Sequence, residues 1–255
     1  MEWLARSLPL RENPSGLLRD CRAVVSMAYP YPRHKPATPD GFTVSRFSQP
    51  TQEDYHKRVG RLCRELATTI EDLFPGSKSR VCVDSAPILE RSFAHAAGTG
   101  FFGKNNMLII PNYGSYFFLA EILTTAPLRA TPAEPMENLC GACRLCIEAC
   151  PTGALEGPFE LDAAKCLSYL TVEYRAAVGH HLGEKMGDCF MGCDRCQEIC
   201  PFNTEEAERV RALPATNEFL GMTEGEFKKI YGRTALARAG LEKIKDNIRA
   251  IKGSA

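Results

Sequence analysis

Four cysteines spaced Cys140-x2-Cys143-x2-Cys146-x3-Cys150 and closed by Pro151 constrain this chain more than any other feature. The spacing lets three thiolates reach three irons of one cubane, while the fourth, beside proline, points away to a second cluster. A shorter run follows, Cys193-x2-Cys196-x3-Cys200-Pro201. Together the runs imply crossed ligation. Cys140, Cys143 and Cys146 with Cys200 hold one 4Fe–4S cluster, and Cys193, Cys196 and Cys150 hold three irons of the other. The second run lacks its first cysteine, since regular spacing puts Phe190 there. Cys189, one residue out of register, and Cys166, remote in sequence, are both available, and spacing does not choose between them. Structural zinc also uses paired C-x2-C motifs, but as two separated pairs that need no three-cysteine run followed by Cys-Pro.

The setting agrees with metal chemistry. The chain holds 12 cysteines in 255 residues, and no basic segment followed by an apolar core opens it as a secretory signal would. A cytoplasmic protein is the expectation, and such a protein does not keep a disulfide framework. The densest apolar stretch, Ser115 to Thr125, is too short to cross a membrane and reads as a strand. Lys+Arg and Asp+Glu both number 31, so only a local patch can draw nucleic acid.

Before the cysteines the pattern alternates. Ala23–Tyr29 reads as a buried strand, and Pro30 to Pro50 as a proline-rich loop too long for a simple connection. Val59, Leu62, Cys63, Leu66, Ile70 and Leu73 recur at helical steps as one apolar face, and Pro75-Gly76 ends that helix. Arg80–Asp84 is a short strand with an acid at its end, and Pro87 opens a helix that closes at Gly98. Met107–Ile110 and Tyr116–Thr124 read as two strands of a hairpin around Pro111-Asn-Tyr-Gly114. Gly98-Thr-Gly-Phe-Phe-Gly103 matches the dinucleotide fingerprint in letters, but a helix precedes it and a strand follows, the reverse of what that fingerprint needs. The expected layout is an α/β domain over 1–125, a Pro/Ala linker over 126–135, a ferredoxin-like module over 136–205 and a basic helical tail over 206–255.

Several segments resemble one family, the epoxyqueuosine reductases: Val83-Asp-Ser-Ala-Pro-Ile-Leu-Glu-Arg91, Phe102-Gly-Lys-Asn105, Gly114-Ser-Tyr-Phe-Phe-Leu119, Cys150-Pro-Thr-Gly-Ala154, Cys166-Leu-Ser-Tyr-Leu-Thr171 and Gly192-Cys-Asp-Arg-Cys196. The resemblance implies a nitroreductase-like α/β domain that binds cobalamin, followed by a ferredoxin-like domain with two 4Fe–4S clusters. It implies reduction of the epoxide of epoxyqueuosine at the tRNA wobble position; a monomer served by a low-potential electron donor is the expectation. It places the proton donor on Asp84 and a cobalamin contact on Arg6. The last ligand of the second cluster falls on Cys166, leaving Cys189 spare, and Ser168, Cys193 and Asp194 line the cofactor. The chain departs from the pattern in three ways. It begins where the family already has a preceding segment. Arg46 to His56 keeps only the Asp-Tyr-His end of a family motif. The C-terminal helical repeats that many members use on tRNA are missing.

The chemistry follows from the parts. Opening an epoxide reductively takes two electrons and a proton on the leaving oxygen; clusters pass single electrons, and reduced cobalt acts on the strained C–O bond. An acid in a dry pocket supplies the proton. Asp84 by position alone reads as a helix cap, and only the surrounding motif makes it the acid. His56 reads as a solvated helix residue rather than a pocket residue, Lys104 as a contact to cofactor or to solvent. The basic tail, with Lys228, Lys229, Arg233, Arg238, Lys243, Lys245, Arg249 and Lys252, reads as a solvated face or a track for RNA phosphates. Two other functions fit the same motifs: a cobalamin-dependent reductase of small molecules, and a plain ferredoxin-like carrier. Two cubanes require about eight irons and eight acid-labile sulfides per chain after anaerobic purification; zinc in their place overturns the cluster reading.

Overall fold

The computed structural model describes residues 7–129, 133–203 and 208–253. Its strands are β1 (Ala23–Pro30), β2 (Lys35–Ala37), β3 (Thr43–Val44), β4 (Ser79–Cys82), β5 (Phe101–Phe102), β6 (Leu108–Ile109), β7 (Phe117–Thr124), β8 (Leu155–Gly157), β9 (Glu160–Leu161), β10 (Cys189–Met191) and β11 (Arg209–Arg211). The helices are α1 (Leu8–Glu12), α2 (Tyr55–Leu73), α3 (Glu90–Ala96), α4 (Leu145–Glu148), α5 (Leu167–Val172), α6 (His180–Met186), α7 (Arg195–Glu198), α8 (Thr216–Gly221), α9 (Glu224–Tyr231) and α10 (Leu241–Lys252). The fold is mixed α/β. No helix among the described residues is long and apolar enough to cross a membrane.

The first sheet runs β1-β7-β4, antiparallel throughout. Strand β7 is central and covered on both faces, so it reads as a continuous apolar run. Helix α2 packs Val59, Cys63, Ala67 and Ile70 against Ala120 and Ile122 on one face. The stripe expected on that helix is narrower than its sequence: Leu62, Leu66 and Leu73 are exposed, because the sheet covers less than half of the cylinder. The expected hairpin is also replaced. Strand β6 pairs with β5, while β7 pairs with β1 and β4. Ile110–Gly114 is a tight turn closed by the Gly114 N–H on the Ile110 carbonyl at 2.8 Å. The glycines of the false fingerprint serve backbone packing: a side chain at Gly100 would meet the Ile109 carbonyl oxygen of β6 at 2.4 Å.

The second sheet, β10-β3-β2-β11, joins three stretches of sequence. Its inner strands come from the proline-rich loop, β10 from the cysteine module, and β11 from the segment after it. Residues 208–253 accordingly share a core with the cysteine module. Leu236, Leu241, Ile244 and Ile248 pack with Leu167, Phe190, Met191 and Val44, all buried. Asn247 of α10 donates from Nδ2 to the carbonyls of Thr171 and Phe190, both at 2.9 Å.

One ionic cluster ties the loop to the module. Arg46 donates from its backbone N–H (2.8 Å) and Nη1 (3.1 Å) to Asp194 Oδ2, with both side chains under 7% exposed. Its Nη1 also reaches Glu198 Oε1 at 2.6 Å, which accepts from Lys35 Nζ at 2.9 Å. The guanidinium lies over the Tyr116 ring, 5.1 Å from its centroid. Removing one partner leaves buried charge without its counterpart, which is far costlier than the net worth of the pair. Arg46→Ala is therefore expected to cost about 3–5 kcal/mol, read as a lowered denaturation midpoint of the cofactor-loaded protein kept anaerobic. An unchanged midpoint would show that the cluster adds nothing to stability.

Candidate active site

Asp84 stands two residues beyond β4 with φ at +52°, in the left-handed region that a non-glycine residue enters only under constraint. Two sets of hydrogen bonds supply that constraint. Its backbone N–H donates to Glu90 Oε1 at 2.5 Å. Its Oδ2 accepts from Tyr55 Oη at 2.6 Å, Arg238 Nη1 at 2.7 Å and His56 Nε2 at 3.1 Å. Burial alone would push this carboxyl up, but the three donors outweigh it and hold Asp84 well below the usual carboxylate range. It is not a helix cap, since α3 starts at Glu90 with Leu89 before it.

The partners are fixed in turn. Tyr55 stacks on Phe118 with ring centroids 4.0 Å apart and planes 3° from parallel. His56, expected in solvent, bonds Asp54 Oδ1 through Nδ1 at 2.7 Å and Asp84 through Nε2. Burial opposes its charge, yet the two carboxylates prevail and push its pKa up to about 9. Arg238, expected in the basic tail, also bonds Glu173 Oε1 at 2.5 Å and so links tail, α5 end and acid. Other tail cations are occupied as well: Lys243 is buried on the Ala176 carbonyl, and Lys245 bonds the Met222 carbonyl. Behind Asp84, burial pushes Glu90 up to about 7 and, with the nearby Glu90 adding, Glu121 up to about 9. The signal for Glu121 was visible as one acid inside an apolar strand; nothing local marked Arg238.

Asp84 lines a cavity of about 580 Å³ between the first sheet and the cysteine module. Tyr31, Phe47, Phe117 and Phe118 form its aromatic wall. Cys150, Cys166, Cys193 and Cys196 line the same space, with Ser168 and Asp194. Cys140, Cys143, Cys146 and Cys200 line a second cavity of about 250 Å³. Each short run folds into a turn and one helical turn, α4 or α7, that returns its last cysteine toward the other run. Lys104 lines this second cavity, and its Nζ donates to the carbonyls of Gly141 and Cys143 at 2.5 and 2.9 Å. Cys189 stands apart. Its buried thiol bonds the carbonyls of Met191 and Gly192, and burial pushes it up to about 12. Among the described residues no three metal-ligating side chains converge on a point that suits a single ion. Arg6 lies outside the described residues.

Comparison with known proteins agrees with this arrangement. Residues 11–85 match the family model described as "Epoxyqueuosine reductase QueG, DUF1730", and residues 139–203 match a "4Fe-4S double cluster binding domain". An epoxyqueuosine reductase of Pseudomonas aeruginosa is 35% identical over 100% of this chain and 74% of its own length. A crystal structure of an epoxyqueuosine reductase with a tRNA-Tyr epoxyqueuosine-modified stem loop has a TM-score of 0.83 at 30% identity, over 95% of this chain and 67% of that one. A Bacillus subtilis epoxyqueuosine reductase, solved with an aspartate-bearing catalytic loop swung out of the active site, has a TM-score of 0.82 at 29% identity over 97% and 68%. Likeness that runs end to end at 35% identity, across nearly three quarters of the relative, makes this chain a member of the epoxyqueuosine reductase family.

Proposed function

We propose that this protein reduces the epoxide of epoxyqueuosine in tRNA, drawing electrons through two 4Fe–4S clusters and a proton through Asp84. The observation that carries the reading is one cavity with the Asp84 carboxylate on one wall and Cys150, Cys166, Cys193 and Cys196 on another. Electron source and proton path then meet where the reacting bond lies. The substrate is tRNA because a relative at 30% identity was solved with an epoxyqueuosine-modified stem loop.

The cavity suits cobalamin. Its volume lies within the range of about 300–1,000 Å³ usual for ligand sites, and its aromatic walls are set among polar groups able to meet amide side chains, Asn105, Ser168, Asp194 and Gln197 among them. Ser168, Cys193 and Asp194 on the module side and Asp84 opposite would hold it, with Arg6 as a further contact. When bound, cobalamin supplies a reduced metal able to act on the strained C–O bond. The chain does the rest. Phe47, Phe117 and Phe118 keep water from the reacting bond, Tyr55 and Arg238 fix the Asp84 carboxylate, and Asp84 Oδ2 passes a proton to the leaving oxygen. Cys140, Cys143, Cys146 and Cys200 would hold the first cluster beside the exposed Leu139 and Leu145, where a low-potential donor could reach it. Cys150, Cys193 and Cys196, with Cys166 as fourth ligand, would hold the second on the wall of the large cavity, where it would supply single electrons.

Two variant sets test this. Cys166→Ala is expected to lose one cluster by iron content and electron paramagnetic resonance, while Cys189→Ala keeps both; the opposite result reassigns the ligand. Asp84→Asn is nearly isosteric and is expected to keep clusters and cobalamin, yet to slow single-turnover reduction of the modified stem loop by roughly two to four orders of magnitude. Near-normal product formation by the Asn variant removes Asp84 from the proton path.

A further inference from the structure

We infer that His56 supplies the protons that Asp84 delivers, so that the two side chains form a relay from solvent to the reacting oxygen. The inference rests on the role given to Asp84 above and deepens it. Loss of an epoxide oxygen as water, leaving an alkene, consumes two electrons and two protons. One carboxyl group carries one proton at most, and Asp84 in this site is a carboxylate with three donors on a single oxygen. It has no proton of its own to give.

Each donor on Oδ2 is therefore a candidate source. Arg238 does not deprotonate in proteins. Tyr55 is buried, and burial with the Asp84 charge raises its hydroxyl far beyond ordinary phenol. His56 remains. Its Nε2 is 3.1 Å from Asp84 Oδ2, its Nδ1 is 2.7 Å from Asp54 Oδ1, and its side chain is 25% exposed, so the ring reaches from solvent to the acid. Both ring nitrogens face carboxylates, which is the environment of an imidazolium. The charged and titratable groups around it are Asp54 and Tyr55 on its own helix, Asp84 and Glu90 from the β4–α3 segment, and Arg238 from the turn before α10. Burial disfavours the charge, but the two carboxylates in contact outweigh it and keep the ring protonated up to about pH 9.

The transfer balances. The Nε2–H bond of His56 breaks as an O–H bond forms at Asp84 Oδ2, and that bond breaks as the epoxide oxygen takes the proton. The two electrons come from the reduced clusters. Asp84 is too acidic here to store the proton, so it passes it on as the C–O bond opens, and the developing alkoxide is far more basic than imidazole. Neutral His56 then recharges from solvent and sends the second proton, which releases the oxygen as water. Asp54 keeps its hydrogen bond to Nδ1 throughout and holds the ring on line.

The test is single-turnover reduction of a stem loop carrying epoxyqueuosine, with iron and cobalamin loading matched across variants. His56→Gln keeps a neutral N–H donor toward Asp84 but offers no titratable proton, whereas His56→Ala leaves room for added imidazole. Both are expected to slow turnover on the order of a hundredfold, to lose the fall in rate that the unmodified protein shows above about pH 9, and, for His56→Ala, to regain rate with the imidazolium concentration. Full rate in His56→Gln would reduce His56 to a hydrogen-bond donor and overturn the relay. A loss in His56→Ala that imidazole does not restore, with the alkaline limb unchanged, would overturn it too. An inactive Asp84→Asn beside a fully active His56→Gln removes the relay and leaves Asp84 in place; a fully active Asp84→Asn removes both.

Discussion

The buried contact between Arg46 and Asp194 is the constraint on which the site depends. Asp194 precedes α7 and lies between Cys193 and Cys196, so whatever fixes its carboxylate also fixes the loop that turns these two cysteines into the cavity. Arg46 is fixed from the other side by the Arg33 carbonyl at 2.7 Å and by the face of Tyr116, just before β7. This guanidinium thereby joins the first sheet to the cysteine module, beside Ser115, which bonds Gln197 and Asn203, and Asn105, which bonds the Cys196 carbonyl. A lysine would not substitute, because the planar fork serves Asp194, Glu198 and the carbonyl at once. Gly192 shows how close the join is: a side chain there would meet Ser45 Oγ at 2.0 Å, beside the start of the Arg46 turn.

The parts of the site legible in the sequence were those whose chemistry repeats at short range. Cysteine spacing is local, because a cubane is small and one turn of chain spans several of its corners. The crossed grouping around the two cavities follows from the same spacing. The sheet joining the two halves was hidden, since β2 and β3 have three and two residues within a proline-rich stretch and show no alternation to read. Leu62 and Leu66 were placed in the core because periodicity gives the direction of an apolar stripe and not its width.

His56 and Arg238 were hidden for a different reason. Each gains its meaning from Asp84, which lies 28 and 154 positions away, and no local pattern distinguishes a histidine on a helix from a histidine on a carboxylate. The tail cations illustrate the same point. Charge counted along the sequence suggested a surface for phosphates, whereas Arg238 closes an acid site and Lys243 caps a carbonyl under the Tyr174 ring. Net charge along a segment says little once its members have separate partners.

The second sheet also sets an order of events during synthesis. Its inner strands belong to the first fifth of the chain, while β11 and the Asp40 anchor of Thr216, 176 positions on, are made last. A nascent chain can pair β2 with β3 early, but both outer edges of that pair wait for β10 and β11, and pairing across such separations is slow. The sheet that carries Cys189–Met191, just before Cys193, is thus completed only by a segment made after both cysteine runs, so the platform beneath the second run closes late in synthesis.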